Sequence, residues 1–155
     1  MGTGLLNGNS IREMVAGYNQ FDHISFPFIK DRAEMRRFLS FAAGQYDFPG
    51  LTFRILPDKK TGIANVVFLE VTDRLRFNAT LTILALMYTQ AVLSPDVPFL
   101  TSALAEHMFT ISQGNSWFLG LLRDRKHLPE FKAVIARTER GMREFMRIRK
   151  KYLLY

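Results

Sequence analysis

Three histidines and a scatter of carboxylates are the residues of this chain whose types could move a proton, hold a metal or attack a bond. His23 adjoins Asp22, His107 adjoins Glu106, and His127 follows Arg123-Asp124-Arg125-Lys126. None stands four residues from another ligand on a helix, so no metal site and no cofactor are expected. Glu106, His107 and Ser112 could form a proton relay on paper. Adjacent helical side chains diverge by about 100°, however, which reads this trio as an ordinary helix surface. Asp22 and Asp47 fall in loops and offer no obvious acid/base pair. Nucleophile elbow, phosphate-binding loop, dinucleotide glycine pattern and zinc-protease helix are all missing from the sequence. Asn78-Ala79-Thr80 fits a glycosylation sequon but lies in the most apolar stretch, where a glycan could not be carried.

The remaining constellation is basic. Residues 1–122 hold ten basic and ten acidic side chains, whereas 123–155 hold eleven basic and four acidic, so the whole formal charge of +7 sits at the C-terminal end. Pro129-Glu130 opens a helix there, with proline in the first turn and a carboxylate near the positive end of the dipole. On a helical wheel Phe131, Val134, Ile135, Thr138, Met142, Phe145, Met146, Tyr152 and Leu153 share an arc of about 120°. Arg137, Arg140, Arg143, Arg147, Lys150 and Lys151 occupy much of the remainder, with Arg149 breaking into the apolar side. About 24 helical residues would extend roughly 36 Å, longer than a small body needs, so 129–155 is expected to project. Gly141, at the edge of the stripe, either admits a close helix or marks a bend.

Four readings fit such a helix. Its arginines could simply be solvated. They could meet phosphates by counterion release, although Phe131 and Phe145 point to the apolar side and leave no stacking platform. The apolar stripe of Phe131, Ile135, Met142, Phe145, Met146 and Tyr152 could lie in a groove of an acidic protein partner, the basic flank setting the choice. A membrane-surface helix would fit the charge pattern but lacks a boundary tryptophan and a lipidation signal.

These side chains need a body to carry them. A chain of 155 residues suits one domain, 1–155, which buries roughly two thirds of its unfolded surface without staples. The absence of cysteine removes disulfides, thiolate metal sites and thiol nucleophiles. Residues 1–9 read as mobile, no signal peptide is visible, and a cytoplasmic location is expected. The centre of the body is Leu75–Leu93, apolar on every side of a helix and too interrupted by Arg74, Arg76 and Asn78 to span a membrane. Thr72 or Asp73 is expected to cap it and Ser94-Pro95 to stop it. Threonine hydroxyls such as those of Thr82 and Thr89 can return to the preceding turn and tolerate burial.

Around it the pattern gives a capped helix from Ser10, and an edge strand over His23–Ile29 with Ile24, Phe26 and Phe28 on one side. A helix follows, capped by Asp31, with Met35, Phe38, Leu39 and Ala42 inward, ending at Gly44. Between 51 and 71 the period changes to two, which predicts a β-hairpin turning through Pro57–Gly62 with its second strand central. Helices over about 98–111 and from a Ser116 cap through Trp117 to Lys126 complete the chain.

The fold class is therefore α+β, mostly helical, with a small antiparallel sheet around a buried helix. Fourteen phenylalanines are more than one small core needs, and Phe26, Phe28 and Phe48 fall in segments expected to stay near the surface. Together with the C-terminal stripe they suggest interfaces. The function expected is a non-enzymatic subunit or adaptor docking an acidic protein, with a homo-oligomer as another assembly. A sequence-tolerant nucleic-acid binder is the alternative, and an enzyme with a motif-free site stays open.

Overall fold

A computed structural model of the chain describes residues 22–97, 107, 110, 117–124, 128–150 and 152. The helices expected at Ser10 and over 98–111, the Ser116 cap and the first nine residues lie outside these, as do Glu106, Ser112 and Lys151. Over the described residues the protein is an α+β domain: β1 (His23–Ser25), α1 (Arg32–Gln45), β2 (Leu51–Leu56), β3 (Val66–Val71), α2 (Ala79–Leu93), α3 (Trp117–Arg123) and α4 (Phe131–Arg149). The sheet is antiparallel in the order β1-β3-β2, so the second hairpin strand is central, as its apolar composition requires.

Alternation fixes the faces. Ile24, Val67 and Ile55 stand opposite one another across the three strands, and Leu69 opposes Phe53, all on the side that joins the core. The edge strand is shorter than the alternation suggests, because Pro27 cannot extend a ladder and the chain turns with Ile29 N–H on the Phe26 carbonyl. Phe26 and Phe48 are nonetheless buried and Phe28 packs beside them. Phe26 meets Phe28 and Phe38, while Phe48 meets Tyr46 and Phe53. These rings are core, not interface.

α1 is capped as its sequence demands: Asp31 accepts from Glu34 N–H at 2.8 Å and Glu34 accepts from Lys30 N–H at 2.7 Å. It runs through Gly44 and ends at an extended Tyr46. In the hairpin loop Asp58 accepts from Lys60 and Thr61 N–H, and Gly62 takes a positive φ of 73°.

The central helix begins later than expected. Leu75 is 99% exposed, and Asp73 closes a separate turn by accepting from Leu75 N–H. The N-cap is Asn78, accepting from Leu81 N–H at 3.0 Å, so the residue that suggested a sequon is the helix start. From Leu81 to Thr89 every residue is buried. Thr89 returns its hydroxyl to the Ala85 carbonyl at 2.9 Å, while the Thr82 hydroxyl is buried without a partner. Among the described residues no helix is long and apolar enough to cross a membrane.

Candidate functional site

Two surfaces carry groups that could act on a ligand. The first is α4, where the sequence reading placed its candidates. Glu130 stands at its N-cap with no side-chain cap bond, and pairs instead with Lys132, whose ammonium pKa is raised by that hydrogen bond and charge. Phe131 is 1% exposed, packed with its ring 5.2 Å from that of Tyr88, and Tyr88 O–H donates to the Pro129 carbonyl at 3.1 Å. Phe131 therefore belongs to the core and leaves the docking set, while Ile135 is partly buried beside it. Arg137 lays its guanidinium over the Trp117 ring at 4.3 Å and fastens α4 to α3. Arg143 pairs with Glu139 at 3.7 Å within the helix.

Beyond Thr138 the helix changes character, since every described residue from Glu139 to Lys150 is exposed. Met142, Phe145, Met146 and Tyr152 stand in solvent together with Ile148. Arg140, Arg147 and Lys150 are exposed around them. Among the described residues nothing lies within 4 Å of where a Gly141 Cβ would be, so no described helix approaches closely there. The sequence candidates thus divide into an inner turn that is core and an outer half that faces water.

The second surface is the face of the sheet turned away from the core. Register places His23, Phe68 and Arg54 side by side across all three strands, and Glu70 beside Thr52 one step further along. The Arg54 guanidinium sits over the Phe68 ring, 4.6 Å from its centroid, and the His23 ring lies 5.0 Å from the same ring at 45°. Asp22 Oδ1 holds His23 Nδ1 at 2.5 Å, an orientation in which the neighbouring carboxylate fixes the imidazole. Glu70 reaches Arg54 at 3.8 Å and accepts from the Thr52 hydroxyl at 3.3 Å. The side chains are graded in exposure: His23 12% and Asp22 44% at one end, Arg54 61% and Glu70 50% at the other. Buried Val66, with half-buried Ser25 and Leu56, closes the apolar end of this face.

Such a strip offers acceptors to hydroxyl or amide donors, a planar cation to an anion, and an aromatic floor between them. Among the described residues no cluster of three His, Cys, Asp or Glu side chains could hold a metal ion. Period-two alternation puts His23 opposite Ile24 and Arg54 between Phe53 and Ile55, on the outward side of each strand, but does not join them. Phe68 sits in a strand apolar on both sides, and only the register makes these three neighbours.

Comparison with known proteins gives the lineage. The family described as exo-β-N-acetylmuramidase NamZ, C-terminal, matches residues 1–155. The peptidoglycan β-N-acetylmuramidase NamZ of Bacillus subtilis (strain 168) is 31% identical over 160 residues, covering 99% of this chain and 36% of the relative. The chain therefore spans about a third of the length of the curated relative it matches. No solved structure matches it.

These matches overturn the expectation of a non-enzymatic adaptor and, with it, the nucleic-acid alternative, because both the family and the relative are named for a glycosidase. The basic C-terminal charge describes how anions are attracted, not what chemistry a fold performs. No motif in the sequence carried that chemistry, yet over its full length the chain belongs to the family of the C-terminal part of exo-β-N-acetylmuramidase NamZ.

Proposed function

We propose that the chain works as part of a peptidoglycan glycosidase that cleaves β-linked N-acetylmuramic acid. The observation that supports this is the continuity of the likeness: the family match takes in the chain from first residue to last. Hydrolysis of a glycosidic bond ordinarily needs two carboxyl groups, one to protonate the leaving oxygen and one to assist water or attack the sugar. It also needs a surface that fixes the sugar in register with them. This chain brings an ordered α+β body whose outer sheet face presents carboxylates, an arginine and an aromatic ring to solvent.

The test is release of sugar. The full-length protein is incubated with a chromogenic β-N-acetylmuramide and with soluble peptidoglycan fragments, and terminal N-acetylmuramic acid is measured. Release that depends on the protein supports the reading. Failure to hydrolyse or to bind any muramyl substrate sinks it. The compartment depends on which substrate is met, since intact wall lies outside the cytoplasmic membrane and soluble fragments occur on either side. Fractionating the producing cells into wall, medium and cytoplasm decides which of these the protein meets.

A further inference from the structure

The groups on the outer sheet face form an ordered set. Arg54 is a planar cation whose guanidinium carbon sits over the Phe68 ring, 4.6 Å from its centroid. Stacking of this kind immobilises the guanidinium while its edge donors stay available. Its contact with Glu70 is long, 3.8 Å, between side chains that are 61% and 50% exposed. A pair so solvated contributes little and orients the arginine without saturating its donors. On the other flank the His23 ring stands 5.0 Å from the same ring, with Asp22 Oδ1 on its Nδ1. Imidazole, aromatic ring and cation therefore span the three strands in one row, with the Asp22 carboxylate on the imidazole and the Glu70 carboxylate one step along from Arg54.

This arrangement is specific in its chemistry. A neutral sugar would use the carboxylates of Glu70 and Asp22, which accept from hydroxyl and acetamido N–H groups, but would leave the arginine edge unused. A sugar bearing a carboxylate uses both kinds of group, with the carboxylate accepting two parallel bonds from the guanidinium. N-acetylmuramic acid is such a sugar: it is an N-acetylhexosamine with a lactyl ether ending in a carboxyl group, free when no peptide is attached.

We propose that the outer sheet face, with Arg54 over Phe68 and the Asp22–His23 pair on the far side of that ring, is a binding site for a carboxylate-bearing N-acetylhexosamine whose carboxylate is taken by Arg54. The inference rests on the glycosidase reading for the identity of the sugar and adds the site and the residue that recognises its charge. The carboxylate has two sources in peptidoglycan fragments, the lactyl group itself and the end of an attached peptide. The site's position beside the acceptors for the sugar ring selects the lactyl carboxylate.

The experiment titrates the full chain with N-acetylmuramic acid, N-acetylglucosamine and muramyl dipeptide, in which the lactyl carboxyl is amidated, and follows backbone amide resonances. The expected result is tightest binding of N-acetylmuramic acid, with shifts confined to β1, β2 and β3. Arg54→Gln should weaken that binding about tenfold and bring it level with N-acetylglucosamine. Arg54→Lys should recover only part of the loss, and thermal melts should show both variants folded. Muramyl dipeptide binding as tightly as N-acetylmuramic acid would overturn the lactyl assignment. Wild-type binding that Arg54→Gln leaves unchanged, or shifts on α4 in place of the sheet, would overturn the site while leaving the glycosidase reading intact. Absence of any muramyl binding by the wild type would instead remove the reading on which the inference rests, before any variant is made.

Discussion

Gly50 and Asp73 are bound face to face: the Gly50 carbonyl accepts from both Thr72 N–H, at 2.9 Å, and Asp73 N–H, at 3.2 Å. A Cβ built on Gly50 would run into the Asp73 carbonyl oxygen, and Gly50 has a φ of +73°. This contact joins the start of β2 to the end of β3, just before the turn that leads into α2. It follows Phe48, itself at a φ of 48°, so two left-handed residues flank Pro49 on the approach to the sheet.

Gly50→Ala should therefore lower stability by at least about 2 kcal/mol, combining a strained backbone with a clash against main chain that cannot turn aside. Urea unfolding followed by far-ultraviolet circular dichroism measures it. A midpoint within error of wild type would refute the strain argument.

The tyrosines give the stability an alkaline edge. Tyr88 has its phenol pKa raised above the ordinary value by burial and then by Glu130, and Tyr46 by burial and then by Asp47. The neutral phenol is thus favoured in the folded chain. Below about pH 10, the unfolded value, this contribution is fully present; above it the unfolded chain ionises first and stability falls until the folded pKa is passed. Melting temperatures taken from pH 8 to 11.5 should begin to drop near pH 10. Tyr88→Phe should flatten part of that drop and cost about 1 kcal/mol at neutral pH through loss of the bond to Pro129. A pH dependence identical to wild type would show that Tyr88 has no part in it.

Among the described residues the Thr82 hydroxyl finds no partner, at 1% exposure, on the helix against which α1, α3 and α4 pack. Thr82→Val keeps the shape and removes the unsatisfied polar atom, so it should stabilise by about 1 kcal/mol, or about 2–4 °C in melting temperature. The same change at Thr89, whose hydroxyl reaches the Ala85 carbonyl, should not stabilise. Equal responses at the two positions would contradict the assignment.

Gly141 lies in the exposed half of α4 with open space where its side chain would be. Gly141→Ala should raise the helicity of that half by up to about 1 kcal/mol. Slower amide exchange over Glu139–Arg149 is the readout, and faster exchange would mean that the glycine is needed for a bend.

Much of this architecture is written in residue order because it depends on local physics. Asp31 with Glu34 three residues on must start a helix, and a run apolar on all sides from Leu81 to Ala91 must be covered. The change of period between Leu51 and Val71 and the turn chemistry of Pro57–Gly62 leave a hairpin as the answer.

What the order of residues could not settle was every choice among distant partners. Asn78 lies inside the run read as helical from Leu75, but the chain before it turns away and makes it the cap. Phe131 shared its wheel arc with Met142 and Phe145, yet only Phe131 lies near enough to Tyr88 to be buried. A hydrophobic stripe defines a direction, and packing decides how far along it the body reaches. His23, Phe68 and Arg54 carry no spacing that a motif could register, because strand pairing alone brings residues so distant in sequence onto one row. The sequence by itself determined the elements, the buried helix and the basic end; the tertiary structure decided which aromatics became core and which three side chains became neighbours, because those outcomes depend on register and burial between segments and not on any property of the segments alone.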